Sequence, residues 1–158
     1  MDSLDFLISL DLTKYKIPSG ELTTKPFLKK LGKINKPLIL STGMCSVEEI
    51  SDSIDVLIDS GLDKKNLTLL HCNTDYPTSF GDVNLNAMRG LEEKFGVHVG
   101  YSDHTQGSEV SIGAVALGAK VIEKHFTLDK SQKGPDHASS LEPHEFKELV
   151  SSIRNISA

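Results

Sequence analysis

Two short stretches, VHVGYSDH at residues 97–104 and KVIEKH at residues 120–125, decide the fold of this chain. Each is a short apolar run that ends on a histidine, His104 in the first and His125 in the second. If the two runs are neighbouring strands of a parallel barrel, both imidazoles lie at its mouth, where such barrels carry out their chemistry. The pattern therefore predicts that His104 and His125 bind one metal ion.

The composition is that of one ordinary soluble domain and argues against several classes of function. The chain has 158 residues, of which 38% are hydrophobic and 25% charged, enough to bury a sizeable core. A net charge of -5 argues against a phosphate-backbone binder. The sequence shows no secretory signal and no transmembrane segment, and Cys45 and Cys72 lack C-x-x-C spacing. We expect one domain over residues 1–158, located in the cytoplasm, with no nucleic acid and no membrane as partner.

Short apolar runs alternate with stretches of helical spacing along the chain and recur every 22 to 30 residues, roughly. Strand, helix and strand at this pitch predict right-handed crossovers and parallel pairing, and therefore an α/β fold. The predicted strands are Tyr15–Pro18, Leu38–Ser41, Leu67–Cys72, His98–Tyr101 and Val121–Phe126.

Apolar residues three and four positions apart predict helices between these strands. We expect five helices from the alternation and a further short helix over Asp2–Leu10. The helix ends are marked by a potential capping box from Ser46 to Glu49 and by Pro143 in a first turn. Gly61 and Gly96 are suited to C-terminal caps.

Five strands do not close an eight-stranded barrel, which leaves two architectures. The chain is either an open doubly wound sheet or the last five units of a TIM-type (β/α)8 barrel from a longer protein. The sequence has no G-x-G-x-x-G turn, which argues against a nucleotide-binding sheet. Polar residues at every strand end favour the partial barrel: Lys16, Ser19 and Glu21; Ser41 and Thr42; Asn73, Thr74 and Tyr76; Ser102, Asp103 and His104; Glu123 and His125.

Side chains alternate between the two faces of a strand, which sorts the residues near the histidines. Ser102 shares a face with His104, Glu123 shares a face with His125, and Lys124 points away from His125. Glu123 is therefore the carboxylate expected near the imidazoles, in a supporting position. Two imidazoles, one nearby carboxylate and positions left for water or substrate suit Mn²⁺, Mg²⁺ or another divalent ion better than a closed zinc site.

Seven short motifs follow one another in a fixed order: KIPSGE at 16–21, STGM at 41–44, LHC at 70–72, YP at 76–77, GYSDHT at 100–105, EKHF at 123–126 and GPDH at 134–137. Together they resemble the N-acetylneuraminate (sialic acid) synthase family, over nearly the whole chain. The resemblance implies condensation of phosphoenolpyruvate with an N-acetylmannosamine-type sugar and water, giving a nine-carbon sialic acid and phosphate for cell-surface polysaccharide.

The resemblance also assigns roles to individual residues. It implies a divalent metal on His104 and His125, Mn²⁺ first with Mg²⁺ or Co²⁺ as alternatives, which polarises the aldehyde of the open-chain sugar. Thr74, a substrate contact to the phosphate or the sugar in this resemblance, stands where some members have asparagine. The resemblance implies phosphoenolpyruvate contacts for Lys16, Ser19, Ser41 and Ser102. Glu21 is the carboxylate at the reacting centre and forms the catalytic pair with Lys16. Tyr76 and Asp136 are the implied sugar contacts.

The family pattern includes parts that this sequence does not contain, namely three earlier strands and a C-terminal antifreeze-like domain. We therefore expect a fragment that is inactive alone, from a protein that is a homodimer when intact. Two other functions stay open: a lysine-dependent pyruvate aldolase on the same fold, and a non-catalytic truncated barrel. The expected acceptor sugar is N-acetylmannosamine or a 2,4-diacetamido-trideoxy sugar. Residues 82–86 favour a product other than pseudaminic acid.

Overall fold

The structure is a computed structural model that describes residues 2–157. Within these residues, strands and helices alternate along the chain, and the strand order in the sheet is that of the chain, β1-β2-β3-β4-β5. The strands are β1 (Tyr15–Ile17), β2 (Leu38–Ser41), β3 (Leu67–Cys72), β4 (His98–Asp103) and β5 (Ile122–Lys124). The helices are α1 (Asp2–Ser9), α2 (Lys25–Ile34), α3 (Val47–Asp59), α4 (Asn86–Phe95), α5 (Glu109–Ala116) and α6 (Pro143–Ile156).

The predicted strands and helices are confirmed, with corrections at their ends. β2 and β3 have the predicted bounds, whereas β1 ends before Pro18, which has no N–H group to donate to a ladder. β4 continues to Asp103, and β5 covers only Ile122–Lys124 instead of Val121–Phe126. β5 ends early because the backbone beyond it pairs elsewhere: Phe126 bridges to Leu141. α1 ends at Ser9, one residue before the predicted Leu10.

The chain divides into two compact units between Leu69 and Leu70. In the first unit, β1 and β2 pair in parallel, with Lys16 opposite Ile39. Helices α2 and α3 pack closely at Gly32, where a Cβ atom would lie 2.6 Å from the carbonyl oxygen of Leu57. The predicted capping box of α3, from Ser46 to Glu49, is confirmed by both of its hydrogen bonds.

In the second unit, β4 and β5 pair in parallel with Ser102 opposite Glu123 and Asp103 opposite Lys124. Val99 and Tyr101 of β4 contribute to a core together with side chains of α4 and α5. Because side chains alternate along a strand, Ser102 lies on the other face of β4 from this core. The register therefore places the side chains of Ser102 and Glu123 next to each other, on the face that carries the candidate site.

The predicted domain includes residues 1 and 158, which lie outside the described residues. Between residues 2 and 157, no helix is both long enough and apolar enough to cross a membrane.

Candidate functional site

The structure brings the two predicted histidines together. His104 directly follows β4 and His125 directly follows β5, and the two strands are paired neighbours. Their ring centroids are 5.4 Å apart, with the ring planes nearly perpendicular at 84°. Both imidazoles are only partly buried, and their exposed part is open to a ligand.

The hydrogen bonds of His104 determine which ring nitrogen can bind a metal. Its Nδ1 atom lies 2.7 Å from the carbonyl oxygen of Asn73, and because a carbonyl can only accept, Nδ1 carries the proton. Burial lowers the pKa of His104, and the neighbouring His125 lowers it further, so the neutral imidazole is favoured. The neutral ring then has its lone pair on Nε2.

Ser102 and Glu123 complete this arrangement. The Ser102 hydroxyl lies 2.7 Å from Oε1 of Glu123 and 3.2 Å from Nε2 of His104. A hydroxyl has one proton to donate, and the shorter, charge-assisted bond to the carboxylate is the stronger one. The Nε2 lone pair of His104 therefore remains available to a ligand. The predicted position of Glu123, on the face of the imidazoles, agrees with this contact.

Tyr76 covers both imidazoles from the loop that follows β3. Its ring centroid lies 4.1 Å from that of His104 and 5.5 Å from that of His125. The loop is attached to the same site, since the Thr78 amide donates to the carbonyl oxygen of His104 at 2.9 Å. Partial burial raises the pKa of Tyr76, and the nearby Asp136 adds to this, so the phenol stays protonated and can donate. Thr74 is exposed on the same loop.

Asp136 reaches the site from the loop between β5 and α6. Its carboxylate oxygen Oδ2 lies 3.9 Å from Nδ1 of His125. The residue adopts a positive φ of 70°, and its carbonyl oxygen accepts a hydrogen bond from the Ser140 hydroxyl at 2.7 Å. A hydrogen bond of 2.8 Å between Thr127 and His137 crosses the loop. Asp136 therefore presents its carboxylate beside His125 from a loop with several internal hydrogen bonds.

The remaining predicted site residues belong to the first unit. Lys16 is exposed in β1, and Ser19 and Glu21 lie in the short 3-10 turn Ser19–Glu21. Ser41 ends β2 and is buried. Within the described residues its hydroxyl is buried without a hydrogen-bond partner, which is a costly state that a ligand oxygen could relieve.

Sequence reasoning missed two features of the site. The Asn73 carbonyl, which fixes the tautomer of His104, is a backbone atom and leaves no signal in the residue types. Lys124 does point away from His125 as strand parity predicts, but its buried ion pair with Asp103, at 3.0 Å, was not foreseen. A lysine held in this way lies on the wrong face for the Schiff base of the aldolase alternative.

The donor set fits a divalent cation with open coordination positions. The two imidazoles offer nitrogen donors, and within residues 2–157 no group of three or more His, Cys, Asp or Glu side chains is arranged to hold a metal. Two protein ligands leave several positions for water or substrate oxygen. The metal itself stays a prediction.

The elements and the position of the site define a class of protein. Strands and helices alternate, β1 and β2 as well as β4 and β5 pair in parallel, and the polar groups follow the carboxyl ends of β4 and β5, as in enzymes of the TIM-type barrel class. Five strands of such a barrel are present in the described residues.

The chain belongs to the NeuB family, whose family model matches residues 1–158. It is 55% identical over 156 residues to N,N'-diacetyllegionaminic acid synthase of Campylobacter jejuni subsp. jejuni, covering 99% of this chain and 47% of that protein. The resemblance inferred from the seven motifs is thereby confirmed.

Solved structures agree with this assignment and confirm the predicted fold class. The spore coat polysaccharide biosynthesis protein of Bacillus subtilis has a TM-score of 0.94 at 35% identity, covering 99% of this chain and 44% of that chain. The N-acetylneuraminic acid (sialic acid) synthetase of Leptospira borgpetersenii, in complex with citrate, has a TM-score of 0.89 at 35% identity. The match covers 97% of this chain and 53% of that chain. This chain spans about half the length of the proteins it matches.

Proposed function

We propose that this chain carries the metal-binding part of a phosphoenolpyruvate-dependent synthase. The reaction joins phosphoenolpyruvate to an N-acetylated amino sugar, consumes one water molecule and releases phosphate, giving a 2-keto sugar acid of the sialic acid type. Family membership and the named relatives support this reaction class. The observation that carries the proposal is the imidazole pair, with 5.4 Å between ring centroids and the Nε2 lone pair of His104 left available.

His104 and His125 would hold a divalent cation, which we propose to be Mn²⁺ with Mg²⁺ or Co²⁺ as alternatives. When bound, the cation supplies Lewis-acid chemistry that polarises a carbonyl oxygen of the substrate. Nδ1–H of His104 donates to the Asn73 carbonyl, which orients the ring and raises its basicity. Glu123 and Ser102, joined by a hydrogen bond, place one negative charge and one hydroxyl beside the imidazoles.

Tyr76 and Asp136 supply the surroundings of an amino sugar. The Tyr76 ring lies against both imidazoles and keeps water from one side of them. Its protonated phenol can donate to a sugar oxygen, and the exposed Asp136 carboxylate can accept from sugar hydroxyls. Thr74 has a single hydroxyl and would make fewer hydrogen bonds to the sugar or the phosphate than the asparagine side chain that some family members have at this position.

The first unit supplies the chemistry that phosphoenolpyruvate needs. A small polyanion is bound by a positive charge and several fixed donors. In the first unit we assign Lys16 as that cation, Ser19 and Ser41 as donors, and Glu21 as the carboxylate at the reacting centre. In the second unit we assign Ser102 as a phosphoenolpyruvate contact. The buried, unpartnered hydroxyl of Ser41, in the described part of the chain, supports its role in binding a ligand.

We further propose a 2,4-diacetamido-trideoxy sugar as the acceptor, in preference to N-acetylmannosamine. The 55% identity to an N,N'-diacetyllegionaminic acid synthase supports this choice. The enzyme would act in the cytoplasm, where phosphoenolpyruvate is made, and supply precursors for cell-surface polysaccharide. The intact protein would be a homodimer, as the family resemblance implies.

A chimera tests the proposed function directly. The matched 156 residues of the Campylobacter jejuni relative are replaced by the corresponding part of this chain, and phosphate release is measured with phosphoenolpyruvate, the diacetamido sugar and Mn²⁺. We expect phosphate release that depends on both substrates, loss of activity in the His104→Ala chimera, and full activity in a His144→Ala control, since the His144 side chain is 70% exposed.

Two results would contradict the proposal. One is a chimera that folds, as judged by circular dichroism, but releases no phosphate while the unaltered relative does. The other is a His104→Ala chimera that is as active as its parent. A pyruvate adduct trapped by borohydride would instead support the lysine-dependent aldolase.

A further inference from the structure

A buried ion pair lies directly behind the two histidines. Lys124 Nζ is 3.0 Å from Oδ2 of Asp103, and the two side chains are only 1% and 0% exposed. The two residues are register partners of β5 and β4, and each immediately precedes one of the histidines. Because successive side chains face opposite sides of a strand, the ion pair lies on the other face from the imidazoles.

The ion pair is the centre of a hydrogen-bond network around the backbone of His104. Oδ1 of Asp103 accepts from the amide of Thr105 at 2.8 Å and from its hydroxyl at 2.7 Å. Oδ2 accepts from the Ser111 hydroxyl of α5 at 2.5 Å. Lys124 Nζ also donates to the carbonyl oxygen of Thr105 at 2.6 Å. The residues on both sides of His104 are therefore fixed, and the same lysine precedes His125.

A buried ion pair is weak evidence of a contribution to stability. Removing two charges from water costs several kcal/mol per ion, roughly, and hydrophobic residues of similar volume often do as well or better. Hydrophobic residues, however, make no directional bonds. The bonds of Asp103 and Lys124 link the ends of β4 and β5 and hold Thr105, the residue after His104.

We propose that Asp103 and Lys124 are positioning residues that set the separation and orientation of the His104 and His125 imidazoles, and thereby the affinity of the site for a divalent cation. The inference rests on the proposed function and deepens it. Neither side chain needs to touch the cation or a substrate, because each acts through the backbone of the histidine that follows it.

The test compares Lys124→Met, Asp103→Asn and the double variant with the unaltered chain. Mn²⁺ affinity is measured by calorimetry, and stability by urea unfolding. We expect each single variant to be destabilised, because one buried charge loses its partner. The double variant has no unpaired charge and regains stability, but its Mn²⁺ affinity stays about 10-fold or more below that of the unaltered chain, the usual effect of removing support from metal ligands.

A matched control separates positioning from stability. Met88→Ala removes a fully buried side chain of the second-unit core without touching the ion pair, so it should lower stability and leave Mn²⁺ affinity unchanged. If Mn²⁺ affinity followed stability in all variants, the ion pair would be a structural element only. A double variant that binds Mn²⁺ as tightly as the unaltered chain would overturn the inference.

A second measurement needs no metal. Crystal structures of the unaltered chain and the double variant give the distance between the imidazole centroids, which is 5.4 Å here. We expect the distance or the ring orientation to change in the variant, and unmoved rings would overturn the inference. If the unaltered chain bound no Mn²⁺, the proposed metal pair would fail, and the ring positions would still decide whether Asp103 and Lys124 position the histidines.

Discussion

A methyl group added at Gly100 tests whether β4 lies against its neighbours as closely as the structure shows. A Cβ atom at this position would lie 2.3 Å from the carbonyl oxygen of Val121 and 2.7 Å from Cδ2 of Leu70, both below the 3.0 Å that real Cβ contacts keep. The leucine side chain could rotate. The carbonyl is backbone, and it accepts a hydrogen bond from the Tyr101 amide at 2.9 Å.

Gly100→Ala should therefore push β4 away from the segment that leads into β5. Overpacking costs about 1–3 kcal/mol, and a lost backbone hydrogen bond adds about 1 kcal/mol. We expect a loss of about 3 kcal/mol, which at a slope of about 2 kcal/mol per molar urea lowers the unfolding midpoint by about 1.5 M. The assay is urea unfolding followed by far-ultraviolet circular dichroism.

Gly90→Ala provides a matched control within the same unit. Gly90 lies in α4, and a Cβ atom there would meet no atom within 4 Å apart from its chain neighbours and its own helix backbone. The substitution should raise stability by about 0.5–1 kcal/mol, because alanine is the better helix former. The close packing of β4 would be refuted if Gly100→Ala unfolded at the same urea concentration as the unaltered chain.

Three further changes test the capping of α3, the surroundings of the imidazoles and one surface ion pair. Ser46→Ala removes the hydroxyl that accepts from the Glu49 amide, and should cost about 1 kcal/mol in urea unfolding; no loss would contradict the capping box. Ser102→Ala removes the hydrogen bond to Glu123 and should weaken Mn²⁺ binding by about 10-fold in calorimetry, whereas unchanged binding would show that this hydrogen bond does not support the metal site. The hydrogen bond from Lys130 holds the pKa of Glu145 below its usual 4.5, so this partly exposed pair stabilises the fold above that pH and is lost as the pH falls through the lowered pKa. Lys130→Met should therefore cost a few tenths of a kcal/mol, roughly, at pH 7 and nothing near pH 2, and a pH-independent difference would contradict this.

Local sequence patterns predicted much of the fold and the principal residues of the candidate site. β2 and β3 have the predicted bounds because their apolar runs are flanked by turn residues. Strand parity placed Ser102 and Glu123 on the face of the imidazoles, since alternation along a strand is a property of the backbone. Such features depend on a few neighbouring residues and are therefore visible in the sequence.

Features that depend on distant contacts could not be predicted. β5 is shorter than its apolar run because the backbone after it pairs with Leu141, a residue in a later segment. The tautomer of His104 is set by the carbonyl of Asn73, which any residue type would supply. The assignments of Lys16 and Glu21 came from the family resemblance alone, because exposed residues of these types are common on protein surfaces.

The measurement that tests the central claim most directly is a calorimetric titration of the purified chain with Mn²⁺, repeated on His104→Ala and His125→Ala. The claim is that these two imidazoles, with ring centroids 5.4 Å apart, form one metal site. It predicts one Mn²⁺ per chain, with binding lost in both variants while circular dichroism shows each of them folded. A folded chain that binds no Mn²⁺, or a variant that binds as tightly as the unaltered chain, would contradict the claim.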